Sequence, residues 1–416
     1  MVQLRTYGHR WHNDRRRHGA VMTAGMGCSS SVVLEEETPH TNTPMVVVPV
    51  DTWTQQTLGP AQPETVAAAY RRMDEEICAL ESTTPGPRLT TAEGWVELLR
   101  SANVQRVGEQ DPGVAAVPNG VPVDSTKSQP ATIGRDRVTE GARQEMVKVV
   151  LRLDIVFNQL KAAQQEEFVA RLSRAAMDQE SEQFRVEMIE HGRKRALFLQ
   201  TSFDQLKRMY IEQDQLLAMV YNGTYGSPTE QKLDGELDAA RDVRDRLGGA
   251  VEQWRIAGGL LRAAAKGLHQ TIDNWELLRS SRDAEETVRL ALDARTACLG
   301  ALVALEAAQA ALPQVEIPYI TIRQQAAVRH ALIYLLTDMV NPARYQHTRD
   351  VFGVFGANVT KAVHWLHECY DETLRQDYGT ADQAATLLAK TLREERLRFI
   401  AGKVPNKLYV RPAIGK

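Results

Sequence analysis

Cysteine is scarce in this chain, and what there is does not pair. Cys28, Cys78, Cys298 and Cys369 are the only four in 416 residues, and none stands in a Cys-x-x-Cys spacing. That argues against a disulfide framework and against a zinc site, and fits thiols kept reduced. Aromatic residues make up only 6% of the chain, too few for an aromatic-rich compact core. No signal-peptide core and no uninterrupted apolar run near 18 residues is present. The longest candidate, "TACLGALVALEAAQAAL" from Thr296, carries Glu306 and Gln309 and reads as buried helix. Charge of one sign is also missing. A net of −3 gives no global case for nucleic acid, so no nucleic-acid partner is expected. Nor is there a GxGxxG, P-loop, GxSxG or HExxH string. With no such motif the chain is read as non-enzymatic, without a cofactor or a metal.

What the chain does have is helix-forming residues. Hydrophobic residues at 43% and charged residues at 25%, drawn largely from Ala, Leu, Glu, Arg and Gln, point to an all-α fold. From about Val138 to Tyr221 there is no Pro, and apolar residues such as Val149, Leu153, Val156, Leu160, Leu199, Leu206 and Leu216 recur at steps of three and four. The spacing predicts one long helix. "NGTYGSPTE" ends it and starts the next, with Ser227 as N-cap, Pro228 at the first helical position and Glu230 closing the box. A second seam through Leu237, Leu247, Val251, Trp254, Leu261, Leu268 and Trp275 runs on to Leu312. Thr321-x-x-Gln324 then opens a third helix reaching about Ala401, with a kink expected at Asn341-Pro342. The three helices span roughly 80 to 85 residues each, on the order of 120–130 Å. Short connections force them antiparallel. The expected architecture is therefore an elongated antiparallel three-helix bundle over residues 135–402, which resembles BAR-type and spectrin-repeat bundles in shape only. A second copy pairing alongside it as a homodimer is expected to help stabilise so thin a rod.

The flanking segments divide more simply. Residues 1–62 read as a disordered segment, too polar and Pro/Thr-rich to bury a core. Two short amphipathic helices follow in 63–103, the first with Val66, Tyr70, Met73, Ile77 and Leu80 on one face. The second is opened by a Thr90-x-x-Glu93 box, with Trp95, Leu98 and Leu99 on one side. Both are expected to dock on something larger. Residues 104–134 read as a flexible linker and 403–416 as a basic tail.

One short stretch carries a functional signal. "MGCSSSVV" at residues 26–33 fits the M-G-x-x-x-[ST] pattern for N-myristoylation if Met26 is the working start, with Gly27 acylated and Cys28 beside it open to S-palmitoylation. A single acyl chain binds membranes only marginally, so the pair matters jointly. Residues 1–25 carry a net +4, and the remainder from Met26 carries −7. An acidic remainder needs such an anchor to reside on an anionic bilayer. A second candidate is a basic patch. Antiparallel folding would bring Arg193, Lys194 and Arg195 alongside Arg255, Arg262 and Lys266, a surface suited to acidic lipid headgroups or an acidic partner. The solvated-helix-face reading competes with it. His364-x-x-His367 lacks the carboxylate spacing of a di-iron bundle and reads as packing beside Trp365 and Leu366, and Cys369 as an inert buried thiol. The paired glycines Gly248-Gly249 and Gly258-Gly259 read as points of close helix approach or bending. The expectation is a cytoplasmic, membrane-peripheral scaffold or membrane-shaping protein, with the plasma membrane as the candidate membrane. The alternative is a soluble coiled-coil scaffold binding partners through helix contacts.

Overall fold

The computed structural model describes residues 64–110, 132–221, 227–405 and 407–409. The expected acylated segment, most of the expected linker and the end of the tail lie outside these residues.

The described chain is almost wholly helical. A two-residue strand β1 (Glu64–Thr65) precedes α1 (Val66–Glu81) and α2 (Pro85–Gln110). Then come α3 (Thr132–Arg152), the short α4 (Gln159–Gln164) and the long α5 (Glu166–Tyr221). They are followed by α6 (Pro228–Leu277), α7 (Ala284–Ala311) and α8 (Ile322–Asp338). The last rod is α9 (Pro342–Cys369), a π-helical turn (Tyr370–Leu374) and α10 (Arg375–Lys403), before strand β2 (Leu408–Tyr409).

The all-α reading stands, but the three-rod bundle gives way to more helices packed in more layers. Each expected rod is interrupted. The first breaks at Asp154, whose φ of 51° turns the chain out of the helix. Asn158 caps α4 by accepting from the Lys161 amide at 3.1 Å. The second rod folds back on itself at residues 278–283. There the Asp283 carboxylate accepts from the Glu286 amide at 2.9 Å and starts α7. In the third, the kink expected at Pro342 is a full restart, because the Asn341 side chain accepts from the amides of both Ala343 and Arg344. The Ser227 cap of α6 and the Thr321/Gln324 capping box of α8 form as their sequences dictate.

The fourth wall of the bundle comes from the N-terminal helices. α1 packs on α5 and α10, and α2 packs on α5, α6 and α7. Gly192 makes the α2–α5 approach possible, since a Cβ there would lie 2.6 Å from Val96 and 2.8 Å from Trp95. The second helix begins at Pro85, so Thr90 is interior to it and donates to the Gly86 carbonyl rather than capping. Its apolar side is also rotated from expectation. Trp95 and Val96 are buried, and Leu98 faces out.

One half of the molecule is thus a four-helix arrangement of α1, α5, α6 and α10. In the other, α6 packs against α7 and α9 while α5 packs against α7 and α8. Helix α7 is buried along most of its length, through Val288, Leu292, Cys298, Leu302, Leu305 and Ala308, so its Ala-rich surface meets neighbours on every side. The linker expected at 104–134 is helical at both ends, in α2 and α3. Leu408 and Tyr409 of the tail pair antiparallel with β1, Glu64 opposite Tyr409 and Thr65 opposite Leu408.

Candidate interaction surface

Gly27 and Cys28, the expected acylation sites, lie outside the described residues. The six basic residues of the expected patch are placed, and the structure divides them into two groups.

Arg195 on α5 and Arg255 on α6 converge on one carboxylate. Glu252 accepts from Arg195 Nε and Nη2 at 3.0 Å each, and from Arg255 Nε and Nη2 at 3.0 and 2.6 Å. Its side chain is 0% exposed. Burial alone would raise its pKa, but the hydrogen bonds and charge of Arg255 and Arg195 hold it below the ordinary carboxylate value. Arg195 therefore ties α5 to α6, while Arg255 holds the same carboxylate from within α6, and part of the charge of both is already answered. Arg193 pairs with Glu190 at 3.4 Å on its own helix.

Lys194, Arg262 and Lys266 form the second group, exposed on the flank. On α6, residues 255, 262 and 266 follow at steps of seven and four, which keeps them within about 40° on the helix. The flank is not only basic. Leu197 and Phe198 stand 69% and 59% exposed on α5, and the Arg195 guanidinium sits 5.4 Å from the centre of the Phe198 ring. The two helices thus each carry exposed cations, and on α5 Lys194 stands three and four residues before the exposed Leu197 and Phe198, on the same side of the helix.

The structure also shows what the sequence pattern concealed, a ladder of ion pairs inside the four-helix half. Arg396 of α10 donates to Glu230 at 2.8 Å and to Asp234 at 3.2 Å on α6. Arg393 reaches Asp74 of α1 at 2.5 Å, and Gln213 of α5 donates to the other oxygen of that carboxylate at 2.9 Å. Arg241 and Arg244 of α6 close on the buried Glu81 at 2.7 and 3.6 Å. Burial pushes the Glu81 pKa up, against the opposing pull of both arginines. Removing one partner from such pairs costs far more than forming them gains, so their clearest effect is to fix which residues of neighbouring helices meet. Arg244 stands seven residues after Leu237 and seven before Val251, a seam position where the rhythm alone calls for an apolar side chain.

The histidine and cysteine readings resolve in place. His364 and His367 face outward rather than packing, and His367 Nε2 lies 3.3 Å from Asp371. Cys298 is fully buried, and burial pushes its thiol up to about 12. Cys369 is only partly buried. Trp275 is buried as a core anchor, whereas Trp254 lies partly exposed against Trp365, ring centres 6.4 Å apart. A groove of about 620 Å³ runs between α3 and α7, with Arg143, Lys148 and Arg289 facing Glu285 and Asp293. Its cations are answered one for one, Arg143 by Asp293, Lys148 by Glu145 and Arg289 by Glu285, which makes it a weak ligand site.

Among the described residues no group of three or more His, Cys, Asp or Glu side chains is placed to hold a metal, and no helix is long and apolar enough to cross a membrane. No protein-family model, no curated protein and no solved structure matches this chain.

Proposed function

We propose that this protein is a non-enzymatic helical scaffold held at the cytoplasmic side of a membrane, with Gly27 and Cys28 as its acylation sites when Met26 is the start. The observation that carries the scaffold role is the flank of α5 and α6. There Lys194 is exposed next to Leu197 and Phe198 on α5, and Arg262 and Lys266 are exposed farther along α6, which Arg195 ties to α5 through Glu252. Exposed cations on both helices with two apolar side chains next to Lys194 are suited to an acidic partner segment, the cations setting orientation and the apolar side chains contributing contact area.

The experiment has two parts. N-terminal peptide mass mapping identifies the start, and fractionation compares the parent chain with Gly27→Ala. An acylated Gly27 terminus together with loss of the variant from membranes is the expected result. A variant that stays on membranes as well as the parent removes the anchor. In the second reading the protein is a soluble scaffold that binds partner helices. Exposed Ile211 and Met219 farther along α5 favour it, because with Leu197 they lie on one side of that helix.

A further inference from the structure

We infer that the junction of α2, α5, α7 and α8 is a binding site for a dianionic phosphate group, free or carried by a small monoester. The junction lies apart from the flank of α5 and α6, and neither acylation nor the scaffold role enters into it.

One carboxylate sits at its centre. Glu306 of α7 is met by Arg106 of α2 at 3.0 Å, by Arg185 of α5 at 3.7 Å and by Arg329 of α8. Three guanidiniums from three helices crowd a single acid. The second acid in reach is Glu182 of α5, which lies 4.0 Å from Arg185 and accepts from the Asn103 side-chain amide at 2.6 Å. Three cations therefore face two anions. About two turns away, Asp178 on α5 and Arg323 on α8 add one charge of each sign and leave the excess as it is. Glu97, farther back on α2, is paired with Arg100 at 3.5 Å.

The excess is felt at Arg185. Burial and the charge of Arg106, with a weaker push from Arg329, lower its pKa, and Glu306 and Glu182 do not restore it. Its Nε is also buried without a hydrogen-bond partner, a donor that an oxyanion would satisfy.

Geometry selects an oxyanion over a halide. Arg106 gives only Nη1 to Glu306 and Arg329 only Nη2, so the other nitrogens of both guanidiniums are unbonded among the described residues. These two arginines take opposite oxygens of Glu306, and the oxygens of one phosphate can bridge such a span. Their side chains are 45% and 35% exposed, against 21% for Arg185. An incoming anion thus meets Arg106 and Arg329 first and Arg185 behind them. The planar fork of arginine matches phosphate oxygens two at a time, whereas a halide offers no second acceptor.

The test is isothermal titration calorimetry of the full-length chain with sodium phosphate and with glycerol phosphate, against sodium chloride at the same ionic strength. One phosphate group per chain is expected to bind, and chloride should give no saturable heat. Arg106→Gln, at an exposed position, should weaken binding about tenfold or more through the loss of one charge-assisted hydrogen bond. Glu182→Gln keeps an acceptor for Asn103 and removes one opposing charge, so it should bind phosphate roughly fivefold tighter. A purely structural ion-pair cluster would show no such gain. Lys194→Gln/Arg262→Gln on the flank should leave binding unchanged, and thermal melts check that each variant is folded. Heat with phosphate alone assigns the free anion, heat with glycerol phosphate assigns monoesters, and either supports the site. The inference is overturned by saturable heat from neither ligand or by equal binding of chloride. It is also overturned if folded Arg106→Gln binds as the parent does, or if folded Glu182→Gln binds no tighter. Weakened binding in Lys194→Gln/Arg262→Gln would move the phosphate to the flank and overturns it as well.

Discussion

Trp275 and Tyr345 hold each other by two reciprocal hydrogen bonds. The indole Nε1 donates to the Tyr345 carbonyl at 3.2 Å, and the Tyr345 hydroxyl donates to the Trp275 carbonyl at 2.7 Å. Their rings stack nearly parallel, 12° apart. This contact joins the end of α6 to the start of α9. Tyr345→Phe keeps the stack and loses one buried bond, so it should lower unfolding free energy by about 1–2 kcal/mol in urea titration. A loss well above that would mean the stack itself depends on the hydroxyl.

The Glu252 clamp sets a pH dependence whose sign follows from its lowered pKa. Stability from such a group is complete above its unfolded value, about 4.5, and is lost as pH falls below that. Glu81 works the other way, since its raised pKa favours the folded state at low pH. The difference between the parent chain and Glu252→Gln isolates the clamp. At neutral pH the variant should be about 2–4 kcal/mol less stable, and the gap should shrink as urea unfolding is repeated toward pH ~3.5. A gap that widens with acid contradicts the clamp.

Two glycines should respond in opposite directions to the same substitution. Gly192→Ala forces a methyl into Val96 and Trp95 and should cost about 1–3 kcal/mol. Gly259→Ala meets nothing within 4 Å on an exposed helical position and should gain roughly 0.5–1 kcal/mol. Thermal melts of the pair decide it, and equal signs would contradict the α2–α5 approach.

Thiol reactivity should separate the folded core from its surface. With its thiol buried and pushed up to about 12, Cys298 should stay unmodified by iodoacetamide at about pH 8 until the chain unfolds. Cys369, partly exposed, should react in the native state. Peptide mass mapping after a short pulse reads both, and early modification of Cys298 would show that α7 opens locally.

Much of the helical content was legible, and the caps at Ser227 and Thr321 stand where their residue types predict. The turn at 278–283 was written too, as Asp283 followed three residues later by Glu286, an N-terminus signature. It was masked because Leu278 and Val288 continue the apolar rhythm on both sides. Periodicity reports that a stripe is buried, not whether the chain reverses between two stripes. The same limit concealed Arg244 and Arg295, since a charged residue within a seam reads as a solvated break, whereas here each finds a carboxylate on another helix. Of the candidate site, the basic residues on α5 and α6 were legible as a pair of clusters. That Arg195 and Arg255 share Glu252 was not, because it depends on how two helices are rotated about their axes.

In the last rod the rotation about the helix axis is reset at the π-helical turn between Tyr370 and Leu374. A wider turn holds one extra residue, and everything downstream is swung by about 100° relative to an uninterrupted α-helix. Arg393 and Arg396 meet Asp74, Glu230 and Asp234 only in that phase. Deleting a single residue there would leave a smoother helix and every cation on α10 aimed at the wrong neighbour, much as a lost nucleotide leaves each later codon intact in letters and wrong in meaning.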